Sequence, residues 1–121
     1  MGKPEGEIEQ YLGKLCKLND ILYYKFTAPS TRGVPDRILL GYQKTVFVEL
    51  KRPGGKPRPS QKTVFEQIKQ HTGQPVYVVS TKAEARSMIA KIMNRQPILT
   101  AKDKPKKKLP RKLGKFKIES I

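Results

Sequence analysis

Pro35-Asp36 and Glu49-Leu50-Lys51, separated by twelve residues, are the part of this 121-residue chain whose residue types and spacing could do chemistry. Asp36 stands at the start of one expected strand and Glu49 near the end of the next. If those strands pair as a hairpin, the two carboxylates meet at one end. Lys51 then shares the face of Glu49, because side chains alternate along a strand. Carboxylate oxygens suit Mg2+ or Mn2+, hard cations that prefer oxygen ligands. Asp36 and Glu49 would ligate the ion directly, helped by the main-chain carbonyl of Leu50 and by water. Such an ion polarises a phosphoryl oxygen and lowers the pKa of a bound water. Lys51 would orient that water and offset the charge that develops on the phosphate. Without a cation, the two acids would repel each other and any nucleic-acid backbone alike. A charge pair on an edge strand accounts for Glu-x-Lys alone. The addition of Asp36, delivered by Pro35 after the permissive Gly33, favours phosphodiester hydrolysis.

Other residues could assist. Gln61 lies three, four and seven residues before Val64, Phe65 and Ile68 and so shares their helical face. A buried amide needs a partner: either backbone at the helix start, or the attacking water or scissile phosphate. Of the acids in the first helix, Glu5 falls closest to the apolar face on ideal helix geometry, and it is the candidate to reach the ion through water. Acids there also favour the helix dipole without any other role. Lys25, Arg32, Arg37, Lys56 and Arg58 are candidates for DNA contact. Arg32 and Arg37 have pairing with acids as an alternative, and Lys56-Pro57-Arg58 a solvated charge run. His71, the single histidine, reads as a capping or surface residue. Tyr23, Tyr24, Phe26 and Phe47 read as core rather than as a stacking surface for bases.

The elements that must position these groups follow from periodicity and punctuation. Residues 5–18 carry apolar positions at helical spacing, and 21–26 read as a strand. Residues 28–35 form a loop. Strands 36–42 and 45–51 join through a turn at Gln43-Lys44, and the Pro/Gly-rich stretch 53–59 breaks regular structure. Ser60 is the expected cap of a second helix, with Gly73 at its C-terminal end. A short strand at 75–79 follows, parallel to the third because a helix connects them. Thr81-Lys82-Ala83-Glu84 is a capping box opening a third helix to about residue 94, with positions 85, 88, 89 and 92 inward. The expectation is an α/β domain over residues 1–100, a mixed four-stranded sheet flanked by helices. In chain order this is an αβββαβ core plus a C-terminal helix. Residues 101–121, rich in lysine and proline, are expected to be a flexible basic tail.

Composition narrows the partners. The formal charge is +16, and the last 21 residues carry nine Lys and Arg against two acids. A chain this basic is suited to a polyanion, above all nucleic acid. No apolar run is long enough for a membrane span, and no signal-peptide h-region is present. Cys16 is alone, so there is neither a disulfide framework nor a thiolate zinc site. The expected location is the cytoplasm of a bacterium or a virus-infected host cell.

Together these residues resemble the VRR-NUC (virus-type replication-repair nuclease) branch of the PD-(D/E)xK nuclease superfamily. The resemblance runs through Glu5-Gly6-Glu7-Ile8-Glu9, Tyr24-Lys25-Phe26, Arg32-Gly33-Val34-Pro35-Asp36-Arg37, Phe47-Val48-Glu49-Leu50-Lys51 and Pro59-Ser60-Gln61. It ends with Gly73 and Pro75-Val76-Tyr77-Val78-Val79. It implies a Mg2+- or Mn2+-dependent endonuclease that leaves a 5′-phosphate. Asp36 and Glu49 would be its metal ligands, Lys51 its catalytic lysine, Gln61 its active-site glutamine, and Glu5, or else Glu9, its outer acid. Small standalone members resemble junction-resolving homodimers, so branched DNA such as a four-way junction is the expected substrate. The alternative is a basic nucleic-acid-binding protein without catalysis.

Overall fold

Val46, Val48 and Leu50 recur at every second position of a β-prone run, and that run is the central strand of the fold. The computed structural model describes residues 4–94, with side chains from residue 6 onward. In chain order the elements are α1 (Pro4–Leu18), β1 (Leu22–Lys25), β2 (Arg37–Gly41), β3 (Lys44–Leu50), α2 (Pro59–Thr72), β4 (Tyr77–Val79) and α3 (Lys82–Ile92). The strands form one sheet in the order β1-β2-β3-β4. β1 and β2 pair antiparallel, as do β2 and β3, whereas β4 runs parallel to β3 after the α2 crossover. This is the mixed α/β sheet that the sequence predicts.

One face of the sheet carries the core. Ile8, Leu12, Leu15 and Cys16 of α1 and Ala85, Met88, Ile89 and Ile92 of α3 pack with Leu39, Val46, Val48, Leu50 and Val79. Each large aliphatic side chain buried there contributes about 1.5–3 kcal/mol. Burial pushes the Cys16 thiol up to about 12. It therefore stays protonated at neutral pH, a packing group rather than a nucleophile. No helix among the described residues is long and apolar enough to cross a membrane.

Several local expectations are corrected. The β2–β3 turn is Tyr42-Gln43, not Gln43-Lys44: both residues take positive φ, 54° and 63°, as a primed hairpin turn requires. Lys44 instead pairs with Gly41 inside the ladder. Neither turn residue is a glycine or asparagine, and the strained conformation at Tyr42 is held from outside, its hydroxyl donating to the Asn19 carbonyl at 2.8 Å. Helix α2 opens at Pro59 with Arg58 as N-cap, so Ser60 is not the cap. Proline suits the first helical position, where its missing N–H is no loss. Gly73 does close α2, with φ 74° and its N–H donating to the Lys69 carbonyl. Thr81 caps α3 as expected, its Oγ1 accepting from the Glu84 N–H, while the return bond from Glu84 Oε1 reaches the N–H of Ser80, one residue before the cap. Helix α2 contains no buried residue, and Val64, Phe65 and Ile68 are only half-buried. Tyr24 is 51% exposed, on the sheet face away from the core. The expected basic tail lies outside the described residues.

Candidate active site

The hairpin register builds the site. Arg37 pairs with Val48, so Asp36, one residue before β2, stands opposite Glu49. Side chains directly opposed in this way begin about 4.5–5.5 Å apart at Cβ. Asp36 is tied at both ends: its carbonyl accepts from the Phe26 N–H at 2.8 Å, and its Oδ2 accepts from the Leu50 N–H at 2.9 Å. The residue is nevertheless exposed to solvent, with its second carboxylate oxygen not committed to that bond.

Glu49 is the opposite case, only 2% exposed. Its Oε2 accepts from Lys51 Nζ at 3.0 Å and from Gln61 Nε2 at 2.7 Å. Its Oε1 is buried and has no hydrogen-bond partner among the described residues. Burial pushes the Glu49 carboxyl above its ordinary range. The Lys51 hydrogen bond opposes that shift, and the nearby Asp36 charge reinforces it. A carboxyl whose pKa rises on folding binds its proton more tightly in the native state, so stability falls as pH climbs from the ordinary carboxyl range to that raised value, and the full cost of ionised Glu49 is reached above it. A cation between the two acids would offset this cost.

Mg2+ or Mn2+ fits this donor set. A buried carboxylate oxygen lacking a donor is a ligand for a hard ion, and the Leu50 main chain lies beside it. Among the described residues, no group of three or more His, Cys, Asp or Glu side chains gathers as a metal site. An ion here would therefore be held by Asp36, Glu49, the Leu50 carbonyl and several waters, the mixed coordination Mg2+ favours.

Two backbone features hold this arrangement. Gly33 has φ 89°, and a Cβ added there would lie 2.6 Å from the carbonyl oxygen of Ser60. The loop before Asp36 thus rests directly on the first turn of α2. In that turn Gln61 has a second task, its Oε1 accepting from the Arg58 N–H at 2.8 Å. One amide therefore caps the helix, the first of the two expected partners, and also bonds the buried acid, a partner the sequence does not suggest. Gln61→Ala is expected to lose about 1–3 kcal/mol of stability from these two bonds. Urea unfolding of both proteins measures the difference; an unchanged midpoint would mean that neither bond matters.

Beside the acids, Glu9, Lys25, Asp36, Arg37 and Leu50 line a cleft of about 210 Å³. Lys25 is thus placed at the cleft. Arg37 faces the cleft but forms an ion pair with Glu9, and its guanidinium sits 4.9 Å from the centre of the Tyr23 ring. The Tyr23 hydroxyl donates to the Glu9 carbonyl at 3.2 Å. Glu9 is thus the α1 acid seen at the cleft, while the side chain of Glu5 falls outside the described residues. The Arg37–Glu9 pair is the alternative the sequence offers for Arg37, pairing with an acid; which acid, and the Tyr23 contacts, are not legible there. Their one signal is that Arg37, next to Asp36, must point to the sheet face that α1 covers. Arg32, Lys56 and Arg58 are exposed in the flanking loops, outside the cleft lining. His71 bonds the Gln67 carbonyl one turn back, a local helix-end role.

No family model matches the chain. A 58-residue stretch is 45% identical to "Putative nuclease p44" of Acyrthosiphon pisum secondary endosymbiont phage 1. The match spans 47% of this chain and 62% of that protein. A solved structure described as a VRR_NUC domain superposes with a TM-score of 0.67 at 26% identity, covering 73% of this chain and 96% of that one. The mixed sheet with its hairpin acids thus has the fold of that VRR_NUC domain, and part of the sequence is similar to the phage protein.

Proposed function

We propose that this domain is a Mg2+- or Mn2+-dependent DNA endonuclease acting as a homodimer on branched DNA such as four-way junctions. The observation that carries the catalytic part is the pairing of exposed Asp36 with buried Glu49, whose Oε1 has no hydrogen-bond partner among the described residues while Lys51 and Gln61 hold Oε2. The bound ion would supply Lewis-acid polarisation of the phosphate and a more acidic water. The chain's own groups do the rest. Asp36 and Glu49 fix the ion against the end of β3. Lys51 holds Glu49 in place and offers a positive charge toward developing negative charge on the phosphate. Gln61 fixes the rotamer of Glu49. Water attacks phosphorus, the 3′ oxygen leaves with a proton, and a 5′-phosphate remains. Lys25 at the cleft and Arg32, Lys56 and Arg58 in the loops would contact the DNA backbone.

The printed name of the phage relative, a nuclease, agrees with this reading. The dimer is supported by Leu22 and Tyr24, 53% and 51% exposed on the outer face of β1, where apolar side chains favour a partner surface. The test is incubation of the protein with four-way junction, flap and linear duplex DNA, with Mg2+, with Mn2+ and with EDTA, alongside sizing by light scattering. Metal-dependent cutting favouring junctions, by a dimer, is expected. Binding that survives EDTA with no cutting under any condition would instead support a non-catalytic nucleic-acid-binding protein.

A further inference from the structure

A second and larger hollow adjoins the cleft. About 480 Å³ in volume, it runs along α1 and is bounded by Gly6, Glu9, Gly13, Lys14, Lys17 and Tyr23. Glu9 belongs to both hollows, so the groove and the acid-lined cleft border one another at that residue. Its floor is bare for identifiable reasons. Among the described residues nothing lies within 4 Å of a Cβ placed on Gly6, and one on Gly13 would touch the Tyr23 ring at 3.2 Å. Glycine in the middle of a helix costs about 0.5–1 kcal/mol relative to alanine, and here it leaves a shallow path beside the ring. Glu9, the acid in the groove, is neutralised by Arg37. Lys14 and Lys17 are exposed, and neither forms a salt bridge among the described residues. The far end of the groove is therefore positively charged.

We infer that this groove carries the phosphate backbone of one DNA strand into or out of the active site, with Lys14 and Lys17 as its phosphate contacts. The inference rests on the nuclease reading and adds to it where the substrate strand runs. Lys14 and Lys17 are five and eight residues beyond Glu9. At 1.5 Å rise per residue they lie about 7.5 and 12 Å along the helix from the cleft. With about 3.4 Å of rise per nucleotide in a duplex strand, they meet phosphates roughly two and four nucleotides beyond the one that lies beside Glu9.

The test measures binding of fluorescein-labelled junction DNA across a NaCl series, with Mg2+ present and Asp36→Asn in every protein to suppress cutting. Lys14→Ala/Lys17→Ala is compared with Lys62→Ala/Lys69→Ala, which removes the same two charges from exposed positions on α2. The groove pair is expected to flatten the slope of log affinity against log salt by about 2, whereas the α2 pair leaves it near the parent value. In the cleavage-competent protein, the groove pair raises KM and spares kcat. A single neutral methylphosphonate walked along the strand should weaken the parent most at those two positions. Equal slopes for the two pairs, or no change from the parent in either, would overturn the groove assignment while leaving the nuclease reading intact. Failure of the parent to bind any DNA would remove both.

Discussion

Asp36→Asn reduces DNA cleavage in Mg2+ on the order of 10³-fold while the melting curve stays close to that of the wild type. Asparagine keeps the shape of the side chain and an oxygen able to accept the Leu50 N–H, now bonded at 2.9 Å. What disappears is the charge. Metal-ion stabilisation of a transition state amounts to several kcal/mol, and each 1.36 kcal/mol is tenfold in rate. Asp36→Ala is the less informative variant. It also orphans the Leu50 N–H, at a cost of about 1–3 kcal/mol, so lost activity and lost stability mix. Single-turnover cleavage beside thermal unfolding separates the two. An asparagine variant cutting at the wild-type rate would remove Asp36 from the chemistry.

Gly33→Ala is expected to damage both the fold and the site, although Gly33 contacts no substrate. Its φ of 89° is one that L side chains rarely adopt, and the added methyl would meet the Ser60 carbonyl oxygen at 2.6 Å and its carbon at 2.8 Å. Both contacts are with the Ser60 backbone in the first turn of α2, and Gly33 itself lies two residues before buried Pro35, so neither side yields easily. A strained φ and a forced overlap together cost about 2–4 kcal/mol. Relief requires the α2 start to move away, taking Gln61 from Glu49. Misplacement of about 1 Å in a catalytic assembly can lower the rate about 10²-fold. Gly54→Ala is the control, since Gly54 has φ 81° but open space around it: it carries backbone strain alone. Urea unfolding and cleavage rates of the two variants give the comparison. Equal behaviour would mean that the Gly33–Ser60 contact positions nothing.

How much of this is legible before any coordinates depends on whether the cause is local. The alternation of Val46, Val48 and Leu50 against Glu49 and Lys51 is a period-two pattern, so both the central strand and its chemical face can be read directly. The inward positions of α3 follow from helical period in the same way. The Tyr42-Gln43 turn is hidden because its positive φ values are imposed by a tertiary bond to Asn19 rather than by a glycine. The start of α2 is misread because Ser60 is the better cap by type. Pro59 and the Gln61 side chain decide otherwise, and proline's preference for the first helical position could have signalled it. The apolar stripe on α2 says which face turns inward but not how much is there to cover it. Glu9 is ranked behind Glu5 because an ideal helix wheel orders acids by angle, whereas the Arg37 guanidinium pairs with the acid it can reach.

The account stands on a cation held between Asp36 and Glu49, and titration calorimetry of Mn2+ into the protein without DNA addresses it most directly. The wild type should bind, and at a free Mn2+ concentration 100 times Kd its unfolding free energy should rise by about 2.7 kcal/mol. Asp36→Asn and Glu49→Gln should each lose most of that heat and most of the stabilisation. Glu49→Gln should be no less stable than the wild type in EDTA, because the buried charge near Asp36 is gone. Binding heats and melting shifts that are the same in all three proteins would contradict the account.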